Sequence, residues 1–313
     1  MSQIEFRQLE EKKIEMKHLF LAFLLMQILS CSKKPETLVQ KLANPTPATS
    51  PSPTLTSKGE EKNADDFVTK DEQQTYDGYD IFKQKKTVVE YDTKIEIPSV
   101  ILKKGGKIVA SFPGMIHPHS EIDFGLFSFL NNGQKQLIIS ASEPRGGNQW
   151  LAELSPTYRE IFSTITWRVG REGADLGFVD LDKDGVYEIT TGDFWYYVFD
   201  EISMSETPVI TVVFRYDKKA GKYLPANHLF PAYSLAGIDA RIAAFPPHEG
   251  YNYLGARVDV LLHYLYAGKE KEGWKFFDRS YQAKDKVQVK AKIKNVLKDS
   301  RVYQYIQKQH RKI

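Results

Sequence analysis

The sequence predicts an α+β fold, in which antiparallel β repeats that form partial propeller-like blades are followed by a mainly α-helical C-terminal region. Three observations support this prediction. Between 76 and 227, short runs rich in β-branched and aromatic residues alternate with glycine-containing turns, as in antiparallel strands. A motif near 180–189 has a degenerate copy near 128–137, and a repeat at such a spacing is typical of β arrays. Beyond 228, apolar residues recur at helical spacing.

The predicted β-repeat domain spans 76–227 and the predicted helical region spans 228–313. Turn residues bound each strand-like run, and these runs are 87–96, 107–112, 124–130, 136–141, 187–191 and 209–216. The helical region begins with 258–267, where apolar residues have helical spacing, and 268–281 continues this segment. We also assign 285–297, whose periodicity is mixed, to a helix, and 300–310 to a short final helix.

The composition is that of an ordinary globular protein, with 42% hydrophobic and 27% charged residues. The net charge of +3 is too small to indicate binding to nucleic acid, so no nucleic-acid partner is expected. Cys31 is the single cysteine, which excludes a disulfide within the chain.

The N-terminal segment reads as a targeting signal. Residues 16–31, MKHLFLAFLLMQILSC, have a short basic start and an apolar run that is too short for an ordinary membrane-spanning helix. Residues 1–15 are too polar for a signal, so we take Met16 as the true start. The alternative is a cytoplasmic protein with an amphipathic N-terminal helix and an incidental cysteine.

The end of this segment, Ile28-Leu29-Ser30-Cys31, resembles the lipobox of bacterial lipoproteins. The resemblance implies that 1–30 is a signal peptide and that the new N-terminal Cys31 carries acyl chains such as palmitate. These chains would anchor the protein in a bacterial envelope membrane. Ser32 after the cysteine resembles the sorting signal for the outer membrane. Residues 31–75, rich in Pro, Ser, Thr and charge, would then form a disordered tether.

The internal repeat aligns 126–137 with 178–189. Gly133 aligns with Gly185, 52 positions later, and Asn132 aligns with Asp184. Each copy would be one β unit that buries an apolar face against the next unit. The alternative is that two unrelated hairpins share a glycine turn by chance.

The downstream copy concentrates carboxylates in one turn. Asp180, Asp182 and Asp184 alternate, Gly185 follows, and the acids continue at Glu188. Calcium takes oxygen ligands from alternate loop positions, and glycine at the sixth position permits the bend. The predicted ligands are the side chains of Asp180, Asp182, Asp184 and Glu188 and the carbonyl of Val186. Magnesium and an ion-free, solvated acidic turn are the alternatives.

This loop is not an EF-hand, because Thr191 occupies the twelfth position, where that motif has glutamate, and because both flanks read as strands. The pattern resembles the calcium loop of FG-GAP or VCBS repeats, which are found in integrin-α-like propellers. The resemblance implies a structural calcium ion that fastens a β-hairpin. In the upstream copy, Ser128 and Leu130 replace two acids, which argues against an ion there.

No complete catalytic constellation is present in the sequence, and we predict no catalytic residues. His117-Pro118-His119 lacks a clear further metal ligand, and 194–197 reads as a buried aromatic strand or, alternatively, a carbohydrate platform. The sequence therefore favours a non-enzymatic binding or assembly role, with an envelope protein or glycan as partner. The alternative is an envelope hydrolase acting on peptidoglycan or polysaccharide.

Overall fold

The structure is a computed structural model that describes residues 61–310, except 91–92, 118, 144–145, 170–175, 196–201, 203–206 and 246–252. The predicted signal peptide at 1–30, Cys31 and the tether up to 60 lie outside the described residues. No described helix is both long enough and apolar enough to cross a membrane.

Thirteen strands run through the described residues. In chain order they are β1 (Lys62–Asn63), β2 (Gln73–Tyr76), β3 (Tyr79–Glu90), β4 (Thr93–Lys104), β5 (Lys107–Pro113), β6 (Glu121–Phe127), β7 (Gln136–Glu143), β8 (Gly146–Glu153), β9 (Arg159–Ser163), β10 (Gly177–Val179), β11 (Glu188–Phe194), β12 (Val209–Asp217) and β13 (Lys222–Pro225).

These strands form three antiparallel sheets. The strand orders are β2-β3-β4-β5, β6-β7-β8-β9 and β1-β10-β11-β12-β13. Each sheet is a meander of four consecutive strands, and β1 is added to the free edge of the third. Connections of two to eight residues join the consecutive strands of each meander, except β11 and β12, which are separated by 195–208. Such short connections favour the antiparallel arrangement. The coarse prediction of antiparallel β sheets followed by helices is confirmed.

The folded chain begins before Tyr76, the predicted start of the β region. Lys62 pairs with Phe178, and β2 pairs with β3 from Gln73 onwards. Residues 61–75 therefore include ordered strands, although their composition assigned them to the tether. Edge pairing requires backbone hydrogen bonds and few apolar side chains, so a polar sequence can supply it. From this stretch, Ala64 and Phe67 are buried in the core.

The run 87–96, predicted as one strand, is divided between two. Strand β3 ends at Glu90 and β4 begins at Thr93, and these two residues are cross-strand partners. The run 87–96 contains no glycine, proline or asparagine, so the sequence has no strong signal that would divide it into two strands.

The second sheet buries both of its faces. On β7, Leu137 and Ile139 point into the core shared with the first sheet, whereas Ile138 points into the core shared with the third sheet and the helices. The two-residue period of a strand explains this division. The second sheet therefore links the first sheet to the rest of the folded body.

The C-terminal region is mainly helical, as predicted. The α-helices of the described residues are α1 (Thr164–Trp167), α2 (Pro231–Ser234), α3 (Ile238–Ala243), α4 (Tyr253–Tyr266), α5 (Glu270–Ser280), α6 (Lys286–Asp299) and α7 (Arg301–His310). Helix α4 packs against the third sheet: Val258, Leu261 and Leu265 share a core with Val212 and Phe214. The helices thus cover one face of the third sheet.

Candidate metal centre

The acidic loop, 180–187, connects β10 to β11 in the third sheet. Val179 and Glu188 are cross-strand partners, so the ends of the loop are held together. Two loop residues have left-handed backbone conformations, Lys183 with φ of 60° and Gly185 with φ of 81°. Glycine adopts this conformation without a steric cost, which explains its place at the sixth position.

Backbone N–H groups hold the carboxylates in place. The N–H groups of Asp184 and Gly185 donate to the two carboxylate oxygens of Asp180, at 3.1 and 3.0 Å. The Val186 N–H donates to Asp184 at 2.8 Å. These bonds curl the chain around the first aspartate.

Three of the predicted ligands come together. Asp180, Asp182 and Glu188 each present a carboxylate oxygen, and these oxygens lie within 4.8 Å of one another. Glu188 is fully buried; its Oε2 accepts the Leu181 N–H at 2.8 Å. Its Oε1 is buried without a hydrogen-bond partner. A buried charged oxygen without a partner is costly, so this atom fits a site that is completed by a cation.

The electrostatics of Glu188 reflect this crowding. The pKa of Glu188 is raised to about 7, chiefly by burial and to a smaller extent by the neighbouring Asp182 and Asp184. The Leu181 N–H and the Arg215 guanidinium act in the opposite direction and lower the pKa. The protein alone therefore supplies too few hydrogen-bond donors and too little positive charge to stabilise the ionised Glu188 carboxylate fully.

The structure places Asp184 outside the trio of close oxygens. Its carboxylate accepts the Val186 N–H and contacts Arg215. The side chain of Val186 is buried, and the ligand predicted from this residue, its carbonyl oxygen, stays a prediction. Cys31, the predicted acylation site, lies outside the described residues.

Arg215 is the participant that the sequence did not identify. It lies on β12, next to Phe214, which pairs with Ile189 of β11. Its Nη2 lies 2.5 Å from Asp182 Oδ2 and 3.4 Å from Asp184 Oδ2, and its Nε lies 3.8 Å from Glu188 Oε1. The register of two strands places this cation beside the acids.

The upstream loop, 128–135, connects β6 to β7 and has the same backbone form. Asn131 and Gly133 are left-handed, with φ of 48° and 75°, as are the aligned Lys183 and Gly185. The Phe129 N–H donates to Gln136 Oε1 at 2.8 Å, and the Gln134 N–H donates to Asn132 at 3.1 Å. The aligned residues of the acidic loop make the same two bonds.

An amide fills the interior of the upstream loop. Gln136 Nε2 donates to the Gln134 carbonyl at 3.1 Å and lies 3.4 Å from Asn132 Oδ1. These acceptors align with the Val186 carbonyl and the Asp184 carboxylate, two of the predicted calcium ligands. The neutral donor of Gln136 thus takes the role that a cation would have in the acidic loop.

The two loops also touch. The Tyr187 N–H donates to the Phe129 carbonyl at 2.9 Å. A Cβ added at Gly185 would lie 2.3 Å from Asn131 Nδ2. The conformation of the acidic loop is therefore coupled to that of its upstream counterpart.

The other candidate residues form no comparable site among the described residues. The rings of His117 and His119 lie 5.6 Å apart, and the His119 N–H donates to His117 Nδ1. Within the part of the chain that the structure describes, the acidic trio is the one group of three or more acidic, histidine or cysteine ligands close enough to share an ion. Trp195 is buried next to β11, while Tyr196 and Tyr197 lie outside the described residues.

Comparisons of the chain with protein-family models, with curated proteins and with solved structures find no match.

Proposed function

We propose that this protein is a membrane-anchored lipoprotein of the bacterial envelope, with a calcium-stabilised β-repeat scaffold and a non-enzymatic binding or assembly role. The observation that carries the calcium assignment is the buried Oε1 of Glu188, which lacks a hydrogen-bond partner and lies among the carboxylates of Asp180 and Asp182. Calcium prefers this ligand chemistry, and magnesium is the alternative ion.

The charge balance of the loop supports a cation. Two unit charges 4 Å apart interact by about 4 kcal/mol at an effective dielectric constant near 20, so clustered carboxylates repel strongly. Arg215 and the exposed Lys183 contribute two positive charges against four acids, which are Asp180, Asp182 and Asp184 of the loop and Glu188 at the start of β11. A divalent ion would offset most of the remaining repulsion and would fasten the β10–β11 hairpin.

The paired loops support the repeat interpretation. Loops 128–135 and 180–187 share two hydrogen bonds and two left-handed backbone positions at a constant offset. Each loop joins the first and second strands of a four-strand meander, and the first sheet is a third such meander. We interpret the three meanders as propeller-like blades of one scaffold that resembles FG-GAP or VCBS arrays.

The non-enzymatic assignment is supported by the surroundings of the acids. Away from the loop, burial raises the pKa of Asp193 to about 6, as a catalytic acid would require. However, Asp193 Oδ2 accepts the hydroxyl of Tyr266 at 2.5 Å, and Tyr266 is fully buried. Asp193 is therefore held by a hydrogen bond between the third sheet and α4, and it is only partly exposed. The alternative role, an envelope hydrolase for peptidoglycan or polysaccharide, would need a solvent-facing acid with a raised pKa, and Glu160, which is exposed and whose pKa is raised by burial, is the candidate for it.

Calcium binding can be tested directly by calorimetric titration of the purified full-length protein. One calcium ion per chain is expected, and Glu188→Gln should abolish this binding. A flat titration of the wild-type protein would contradict the calcium assignment.

The membrane anchor can be tested separately in bacterial cells that are fed labelled palmitate. The label should enter the wild-type protein and the Ser32→Ala control, and Cys31→Ala should prevent its incorporation. Equal labelling of Cys31→Ala would rule out Cys31 as the acylated residue.

Crosslinking of the intact lipoprotein in its envelope would then identify the envelope protein or glycan that it binds.

A further inference from the structure

We infer that Arg215 is a tethered counter-ion of the acidic loop, which a divalent cation must displace in order to bind. This inference rests on the proposed calcium function and adds to it a residue that determines affinity. It predicts that the loop alternates between a form closed by the guanidinium and a form closed by the cation.

The contacts of Arg215 are the basis of this inference. Its Nη2 lies 2.5 Å from Asp182 Oδ2 and 3.4 Å from Asp184 Oδ2, while its Nε lies 3.8 Å from Glu188 Oε1, a buried oxygen without a hydrogen-bond partner. All three carboxylates are predicted ligands of the ion. A guanidinium has donors and no acceptor, so it cannot become a ligand itself. Its positive charge and the cation therefore compete for the same oxygens.

The position of Arg215 makes it displaceable. Its side chain is 39% exposed, whereas that of Glu188 is 0% exposed. The guanidinium thus reaches the acids from the solvent side, and ion pairs exposed to this extent are weak. Arg215 also lines a surface cavity of about 440 Å³ with Asp217 and Lys218. This cavity has room for the guanidinium after it leaves the carboxylates.

The upstream loop satisfies its acceptors without a charged group. There Gln136, which is buried, donates its own amide to the Gln134 carbonyl. That donor comes from the residue that directly follows the loop, at the start of β7, and it is neutral, so it creates no attraction for a cation. In the acidic loop the compensating donor comes from a different strand, β12, and can leave while the loop keeps its backbone hydrogen bonds.

The test is a calcium titration of the full-length protein and two variants. Arg215→Gln removes the competitor, and we expect it to bind calcium at least about tenfold more tightly than the wild type. Lys218→Gln is the matched control, because it removes one positive charge from the lining of the same cavity without touching the acids. We expect its affinity to change less than about threefold.

The outcomes separate this inference from the calcium assignment. If the wild type binds calcium and Arg215→Gln binds no more tightly, or if Lys218→Gln improves binding equally, the displacement model is overturned while the calcium assignment stands. If neither the wild type nor Arg215→Gln binds calcium, both proposals are overturned. If only Arg215→Gln binds, the competition is supported and the wild-type calcium assignment is overturned.

A second measurement shows whether Arg215 has only a structural role. With a chelator, Arg215→Gln should melt below the wild type, because the acids lose their counter-ion. With saturating calcium, Arg215→Gln should melt at the same temperature as the wild type or above it. An equal deficit under both conditions would mean that Arg215 acts independently of the cation, and this result would overturn the inference.

Discussion

Gln136 and Glu188 make the same hydrogen bond in two neighbouring loops: each side-chain oxygen accepts the backbone N–H of the residue seven positions earlier. The two side chains differ in their remaining atom. The amide nitrogen of Gln136 donates within its own loop, whereas Glu188 Oε1 is buried without a hydrogen-bond partner. One loop is therefore complete as it stands, and the other presents an oxygen for which we propose a cation.

The upstream loop should not tolerate a carboxylate at its centre. Gln136→Glu would place a charge in a site that is 1% exposed and would remove the donor to the Gln134 carbonyl. We expect a loss of about 3 kcal/mol in the free energy of unfolding at pH 8 and a smaller loss at pH 5, where the new acid is protonated. Urea denaturation at pH 8 and at pH 5 measures the two losses in the free energy of unfolding.

Gln134→Glu is the control for this prediction, since it adds the same charge to the same loop at a less buried position. Gln134→Glu should change the free energy of unfolding much less than Gln136→Glu does. Calcium should not rescue Gln136→Glu, because Ser128 and Leu130 supply no carboxylates. Wild-type stability of Gln136→Glu at pH 8 would contradict the proposed role of the amide.

The contact between the loops can be measured with two glycine substitutions. Gly133 and Gly185 have similar φ values of 75° and 81°, so alanine at either position should cost about 1 kcal/mol of backbone strain. A Cβ at Gly133 meets nothing within 4 Å, whereas one at Gly185 would lie 2.3 Å from Asn131 Nδ2. Gly185→Ala should therefore be the more destabilising of the two in urea denaturation with a chelator present. Equal losses would show that the contact with Asn131 contributes nothing to stability.

Asp193 should make stability depend on pH. Burial raises the pKa of Asp193 to about 6, although the bond from Tyr266 lowers it. The folded state then binds the proton more tightly than the unfolded state, so this residue's contribution falls as the pH rises from about 4 to about 6. Asp193→Asn should remove the dependence and gain about 2–3 kcal/mol relative to the wild type across this window.

Asp71→Asn is the control for the pH prediction. Hydrogen bonds from Gln74 and Thr69 lower the pKa of Asp71, so its contribution is present at neutral pH and is lost on acidification, which is the opposite sign. Urea denaturation between pH 4 and 7 compares both variants with the wild type. If the free energy of unfolding changed with pH in the same way for Asp193→Asn and for the wild type, the raised pKa of Asp193 would be contradicted.

Local patterns predicted the features that are local in the chain. The apolar spacing over 258–267 predicted a helix, and Val258, Leu261 and Leu265 of α4 are buried. The acidic loop was recognisable because its carboxylates and its glycine lie within nine consecutive residues, Asp180 to Glu188. Patterns of this kind depend on side-chain periodicity or on turn chemistry, both of which can be read from the sequence.

The missed features depend on pairing between distant segments. Arg215 reaches the acids because of the register between β11 and β12, and register is set by how whole strand faces are buried. Strand β1 was missed for the same reason, since Lys62 pairs with Phe178, which is far away in the sequence. Strand β2 is the exception, because it pairs with the adjacent β3 across Asp77-Gly78, a local hairpin signal, although the polar composition of 61–75 assigned it to the tether. The structural equivalence of Gln136 and Glu188 can be recognised only when their hydrogen bonds are compared in addition to their aligned positions in the sequence.

Calcium should stabilise the full-length protein against heat, and thermal melting with calcium and with a chelator measures this. At a calcium concentration of about 100 times the dissociation constant, binding adds about 2.7 kcal/mol, which should raise the melting temperature by roughly 5–10 °C. The double variant Asp182→Asn with Glu188→Gln should lose this rise, whereas Asp239→Asn with Glu270→Gln, a charge-matched pair of exposed sites in the helical region, should keep it. Identical melting of the wild-type protein under the two conditions would contradict the account.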